Sequence, residues 1–91
     1  MKSSKEILSM NLKYYRNKYN LSQEKFAEVV DSNLVYINQL ENCRRKPTID
    51  LLDKFANNLN KYDKKLNMTS AKLITYDESH KTNFTRIDGK N

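Results

Sequence analysis

Residues 21–42 carry the sequence LSQEKFAEVVDSNLVYINQLEN, and this stretch decides the fold. Ser22 is a favoured helix N-cap, because its hydroxyl can accept a hydrogen bond from a free amide of the first turn. The complete capping box is absent, since Lys25 stands where Glu or Gln would reach back to the cap. Three apolar residues then share one face of a helix at about 22–30; they are Phe26, Ala27 and Val30.

The turn formers Asp31-Ser32-Asn33 end this helix and lead into another. Asn33 or Ser32 caps the next helix, at about 33–42, in which Ile37 and Leu40 point inward. The stretch therefore predicts two short helices joined by a tight turn.

Longer helices are predicted on both sides of this pair. Asn20 suits the left-handed backbone that ends a helix, and the helix before it, at about 4–19, has one apolar face formed by Leu8, Leu12, Tyr15 and Tyr19. Thr48 caps a helix at about 48–59, whose inner face is formed by Leu52, Phe55, Ala56 and Leu59. The predicted fold class is mainly α, and residues 1–68 are expected to form one domain.

Residues 69–91 have a different pattern and are predicted to form an extension. Segments 72–76 and 82–87 are rich in β-branched and aromatic residues, and the polar segment 77–81 separates them, which predicts a C-terminal β-hairpin. An isolated hairpin is marginal in water. We therefore expect it to mediate homodimerisation or to cover the helical core, with a contact to DNA as the third alternative.

Composition favours an anionic partner. The 91 residues include 17 Lys and Arg against 11 Asp and Glu, a formal charge of +6. Such an excess is typical of nucleic-acid binding, with a solvated lysine-rich surface as the alternative. The single cysteine forms no internal disulfide, and the sequence shows neither a signal peptide nor an apolar span. We expect a cytoplasmic protein that does not associate with membranes.

The sequence contains few of the residue patterns that enzymes use for catalysis. It contains one His, one Cys, no glycine-rich phosphate loop and no Ser/His/Asp arrangement. We therefore expect no catalytic residues, no cofactor and no small-molecule ligand. His80 is expected to be a solvated residue of the hairpin turn, and Cys43 lacks the further ligands that a metal site needs.

Four segments, YYRNKYN, LSQEKFA, YINQLEN and RRKPTIDLL, resemble in this order the phage-repressor/Cro-type helix-turn-helix family, also called the XRE family. The resemblance covers about residues 8–60. It implies a compact bundle of four to five helices, in which the second helix crosses the DNA backbone and the third enters the major groove. It also implies a bacterial or phage/mobile-element-encoded transcriptional regulator, which we expect to be a repressor that binds double-stranded DNA as a homodimer.

The resemblance implies roles for individual residues. It places Gln23 at a phosphate contact that also buttresses the third helix, and it places five residues towards DNA: Asn33, Leu34, Val35, Asn38 and Gln39. The amides of Asn38 and Gln39 suit adenine, and Leu34 and Val35 suit thymine methyl groups. The alternative is that one of these two, Val35 before Leu34, packs in the core.

Basic and polar neighbours are expected to bind the DNA backbone. Arg44, Arg45 and Lys46 follow the third helix and are expected at phosphates, with a solvated charge run as the alternative. Tyr36 either donates to a phosphate or packs its ring in the core. Weaker backbone contacts are expected from Ser22 and Asn42.

Other positions bear on the scaffold. The resemblance implies an ion pair between Arg16 and Glu41 that links the first and third helices. Cys43 stands where the family usually has Gly, so either Asn42 takes the left-handed conformation or the loop differs. Ser32 replaces the usual small apolar residue of the turn, which can loosen the third helix.

The competing function is that of a protein-interaction module, an antitoxin or adaptor on the same fold. In that case DNA binding is secondary or lost, and the apolar residues of the extension form the contact surface. They are Leu73, Ile74, Tyr76, Phe84 and Ile87.

Overall fold

The structure is a computed structural model that describes residues 2–82. These residues form six helices and no strand: α1 Ser4–Lys18, α2 Gln23–Val29, α3 Leu34–Glu41, α4 Ile49–Tyr62, α5 Ser70–Leu73 and α6 Glu78–Thr82. The mainly helical fold class is thus confirmed, with α4 reaching three residues beyond its predicted end. Within the same residues no helix is long and apolar enough to cross a bilayer.

Each of the first five helices begins at a Ser, Thr or Asn whose side-chain oxygen accepts an amide of the first turn. Ser22 caps α2 without a reciprocal partner, as predicted. Asn33, rather than Ser32, caps α3. Five capped starts in so short a chain explain why the elements are sharply delimited, since each cap contributes about 1 kcal/mol.

The predicted inner faces converge on a single core. Leu8, Leu12, Phe26, Ile37 and Phe55 are each at most 1% exposed within it. Leu51, Leu52, Ala56 and Leu59 extend the core along α4, and Tyr15 packs against its edge. The predicted inner faces of α2, α3 and α4 are therefore confirmed, and that of α1 is confirmed for Leu8, Leu12 and Tyr15. Tyr19 lies outside the core, where its hydroxyl donates to Asp63 Oδ2 at 2.7 Å.

The β-hairpin is not found where the structure can test it. Segment 72–76, predicted as its first strand, overlaps α5, and the predicted turn forms α6. The segment predicted as the second strand, 82–87, lies almost wholly outside the described residues. Thr69 caps α5 and Leu73 is fully buried in the core, so tertiary packing overrides the local β-propensity.

Asn11, fully buried on α1, holds this segment in place. Its Nδ2 donates to the carbonyl oxygens of Leu73 at 2.7 Å and Thr75 at 3.1 Å, and its Oδ1 lies 2.7 Å from His80 Nδ1. The expectation that His80 is solvated is wrong: the residue is 6% exposed, and its ring stacks on Tyr14 with the centroids 3.8 Å apart. Because Asn11 Oδ1 only accepts, Nδ1 carries the proton in the neutral ring.

Candidate nucleic-acid interface

The turn between α2 and α3 has the same closure as two other helix ends. After α2, Asp31 takes a φ of 62°, and the Ser32 amide donates to the Ala27 carbonyl at 2.7 Å. This is the Schellman pattern, in which a left-handed residue redirects the chain and satisfies the last carbonyls. Ser32 takes part in this closure only through its backbone amide. The presence of Ser in place of the family's usual small apolar residue therefore leaves the closure intact.

The other two ends are those of α1 and α3. Asn20 takes a φ of 57°, which confirms its predicted role. Cys43 itself takes the left-handed conformation, with a φ of 61°, while the φ of Asn42 is −103°. Both alternatives stated for this position, a left-handed Asn42 and a different loop, are therefore wrong. The Arg44 amide still donates to the Gln39 carbonyl, at 2.8 Å. The exit from α3 therefore keeps the expected geometry, with a non-glycine residue in a costly conformation.

A buried ion pair fixes α3 against α1, as the resemblance implied. Arg16 donates to the two oxygens of Glu41 at 2.8 and 3.0 Å, and the Glu41 side chain is 2% exposed. Gln23 adds a third bond, from Nε2 to Glu41 Oε1 at 2.9 Å. The first residue of α2 is thus tied to the last residue of α3.

The outer face of α3 consists of Leu34, Val35, Asn38 and Gln39. Leu34 is 46% and Val35 65% exposed, so the alternative that Val35 packs in the core is excluded. Ile37 and Leu40 on the opposite side are buried. Two large aliphatic side chains that are about half or more exposed, on a helix of eight residues, are typical of a contact surface.

A shallow groove runs along this outer face. It is lined by Gln23, Leu34, Val35, Asn38, Gln39 and Arg44. All six are among the residues predicted to contact DNA, and they come from α2, α3 and the loop after α3. The fold therefore brings them to one surface.

Arg45 and Tyr36 make contacts that the sequence did not predict. Arg45 Nε donates to Gln39 Oε1 at 2.7 Å, and its guanidinium carbon lies 5.0 Å from the centroid of the Tyr36 ring. Tyr36 is half-buried and packs against the core, so the alternative of ring packing holds. These contacts place Arg45 beside the outer face rather than free in the loop.

The remaining predicted residues have local partners or are solvent-exposed. The side-chain oxygens of Ser22 and Asn33 act as caps, and Asn42 Nδ2 donates to the Asn38 carbonyl at 2.8 Å. Arg44 and Lys46 are exposed. A basic loop thus lies beside the polar and apolar groups of α3, the combination that DNA recognition requires.

The resemblance implied the Arg16–Glu41 pair and a Gln23 that buttresses the third helix, and hydrogen-bonded contacts of both are present, but it did not imply the bonds from Gln23 to Glu41 and to Asn38. Asn38 Nδ2 donates to Gln23 Oε1 at 3.3 Å, so Gln23 links Glu41 to the outer face. The groups involved are 15 to 25 residues apart in sequence. Residue spacing within one helix carries no signal for such a link.

Comparison with known proteins agrees with this geometry. The helix-turn-helix family model matches residues 12–70. Control protein C.SmaI of Serratia marcescens is 42% identical over 71 residues, which is 78% of this chain and 76% of that protein. No solved structure matches the chain.

Proposed function

The chain belongs to the XRE-type helix-turn-helix family of DNA-binding transcription regulators, and on that premise we propose that it reads specific sequences in the major groove with the outer face of α3. The family is generally non-enzymatic. The observation that carries the proposal is the groove lined by Asn38 and Gln39 together with exposed Leu34 and Val35, and by Arg44. Amides and aliphatic groups on one exposed helix match base edges and thymine methyls.

Affinity in this proposal comes from phosphate contacts. Arg44, Arg45 and Lys46 begin three residues after the end of α3, and the chain carries a formal charge of +6. Each neutralised phosphate releases condensed cations, so affinity falls with salt at a logarithmic slope of about −0.9 per contact. Arg45 has a second task, because it already holds the Gln39 side chain.

We also propose that the protein acts as a homodimer on an inverted repeat and represses transcription. The resemblance to phage repressors supports the mode, and the name of the similar control protein supports a regulatory role. Candidate subunit contacts are the exposed apolar side chains after α5: Ile74 is 36% and Tyr76 40% exposed. A cytoplasmic location and the role of residues 83–91 stay predictions.

The dimer is tested by mass in solution. Changing both Ile74 and Tyr76 to Ser should shift the mass towards that of a monomer, because apolar contact area between subunits is lost. The matched control is Ile49→Ser at the start of α4, a side chain that is 74% exposed. A dimer that persists in the double variant places the subunit contact elsewhere.

Selection of bound duplexes from a random pool tests the function itself. We expect enrichment of an inverted repeat whose half-site centres lie one helical turn apart, ~34–36 Å, or a multiple of that. A pool that shows no enrichment contradicts sequence-specific reading. In that case the antitoxin or adaptor alternative gains support, and binding to a co-purified protein becomes the next test.

A further inference from the structure

The polarity of the Gln23 amide is fixed by its buried partner. The Arg16 guanidinium donates to both oxygens of Glu41, so both oxygens act as acceptors. The Gln23 atom 2.9 Å from Glu41 Oε1 must therefore be the amide nitrogen. Gln23 Oε1 consequently points the other way, towards the outer face of α3.

The same logic passes one residue further, to Asn38. Gln23 Oε1 is an acceptor, so the Asn38 atom 3.3 Å from it must be the donor Nδ2. This leaves Asn38 Oδ1 as the acceptor turned away from Gln23. Rotating the Asn38 amide by half a turn would set two acceptors against each other. Rotating Gln23 as well would set its carbonyl oxygen against the Glu41 carboxylate.

Gln39 shows that a neighbouring amide can be held with the opposite polarity. The Arg45 guanidinium only donates, so the Gln39 atom 2.7 Å from Arg45 Nε is Oε1. Among residues 2–82, no hydrogen bond uses the Gln39 amide nitrogen, which leaves it available to DNA. The two adjacent amides of the outer face therefore present different groups to DNA, an oxygen from Asn38 and a nitrogen from Gln39, although both side chains end in the same amide.

We propose that the chain of hydrogen bonds from Arg16 through Glu41 and Gln23 sets the polarity of Asn38, so that Asn38 presents Oδ1 to the major groove and selects a base with an exocyclic amine. Adenine N6 and cytosine N4 are the amine donors of that groove. Gln23 is a positioning residue in this account, because it acts on the base through Asn38. The inference rests on the proposed function, since it concerns the base read by α3.

The same amide can also bind adenine through two groups. An amide nitrogen has two hydrogens, and the bond to Gln23 Oε1 uses one of them. When that hydrogen is the one anti to Oδ1, the other lies beside Oδ1, and Asn38 can accept from adenine N6 and donate to N7.

The experiment removes the amine from the DNA. Once a site has been selected, Asn38→Ala identifies the base pair at which discrimination is lost. At that position adenine is replaced by purine, or cytosine by 2-pyrimidinone, which deletes the exocyclic amine alone. Fluorescence anisotropy then gives the ratio of affinities for the natural and the modified duplex. We expect a ratio of about tenfold for the wild-type protein, the value of one good hydrogen bond, and about one for Asn38→Ala.

Gln23→Met tests the positioning role, because Met has a similar length and no hydrogen-bonding amide. We expect its ratio to fall to about threefold or less, since Asn38 is then free to turn. Its discrimination at the base pair read by Gln39 should stay at the wild-type value, which controls for folding. A uniform loss of affinity through a missing phosphate contact cancels in the ratio.

Each result has one meaning. A wild-type protein that is indifferent to removal of the amine overturns the inference, and so does a Gln23→Met variant that keeps the full tenfold ratio. In either case the selected site still stands, so the proposed function survives. If no site can be selected, the proposed function has failed, and the inference falls with it.

Discussion

Replacing Glu41 by Gln removes one charge from the buried pair while nearly preserving its volume. The Glu41 carboxylate now accepts two bonds from Arg16 and one from Gln23, between 2.8 and 3.0 Å. An amide in its place has a single acceptor atom, so at least one of the three donors faces an NH₂ group. The Arg16 guanidinium then lies in the protein with no compensating charge.

The size of the effect follows from this environment. Breaking a buried ion pair by removing one partner typically costs ~3–5 kcal/mol. Arg16 keeps a bond to the Leu21 carbonyl at 3.1 Å, and its side chain is 14% exposed, both of which place the loss at the low end. We expect the free energy of unfolding to fall by about 3 kcal/mol, a large part of the ~5–15 kcal/mol that a small domain has.

Urea unfolding followed by circular dichroism measures this loss. With a slope of roughly 1–1.5 kcal/mol per M, the midpoint should fall by roughly 2–3 M. The matched control is Glu28→Gln in the exposed pair with Lys25, whose side chains are 64% and 67% exposed and lie 3.6 Å apart. That variant should change stability by at most about 0.5 kcal/mol. A loss below about 1 kcal/mol for Glu41→Gln, like that of the control, would refute the reasoning.

Three further predictions concern single positions. Gln39→Ala should lower discrimination between DNA sites by roughly 1–3 kcal/mol, whereas Arg44→Ala should weaken binding to all duplexes alike in anisotropy titrations; equal losses on every duplex for both variants contradict these roles. Burial lowers the pKa of His80, opposed by Asp77, so its neutral form stabilises the fold above pH ~6.5 and this contribution is lost as pH falls through the folded pKa. Between pH 7 and 5, the urea midpoint should fall in the wild type by this contribution and not in His80→Gln. An equal dependence of the midpoint on pH in the two proteins would contradict a role of His80. Because the φ of residue 43 is 61°, the free energy of unfolding of Cys43→Gly should exceed that of Cys43→Val by about 2 kcal/mol, which gives Cys43→Gly the higher urea midpoint. Equal midpoints would mean that this backbone is not strained.

The helices and their inner faces were predictable because the signals are local. Leu8 and Leu12 lie one turn apart, and Asn20 marks the end of the same helix with its own backbone preference. Likewise the exposed side of α3 follows once Ile37 and Leu40 are assigned to the core. Such features need only the neighbours that sequence spacing provides.

The region after residue 69 was not predictable in this way. Its β-branched residues favour a strand locally, but three hydrogen bonds from Asn11 and the burial of Leu73 fix short helices instead. Asn11 is 61 to 69 residues away from its partners in the chain. The same distance explains why His80 looked like a solvated turn residue.

The sequence predicted which residues form the candidate interface, but not which hydrogen-bonding atoms they present. Residue type and position placed Asn38 and Gln39 on one face, where the structure has them. Which atom each amide presents depends on Glu41 through Gln23 and on Arg45, and these links form only in the folded chain. Composition therefore identifies a polar surface, while the fold decides its hydrogen-bonding polarity.

The central claim is that the helix-turn-helix reads DNA by sequence. One anisotropy titration tests it most directly, with the selected duplex and a scrambled duplex of the same composition compared over a range of salt concentrations. We predict that the selected duplex binds at least about 10³-fold more tightly, and that both affinities fall steeply as salt rises. Equal affinity for the two duplexes, or no binding to either at low salt, would contradict the claim.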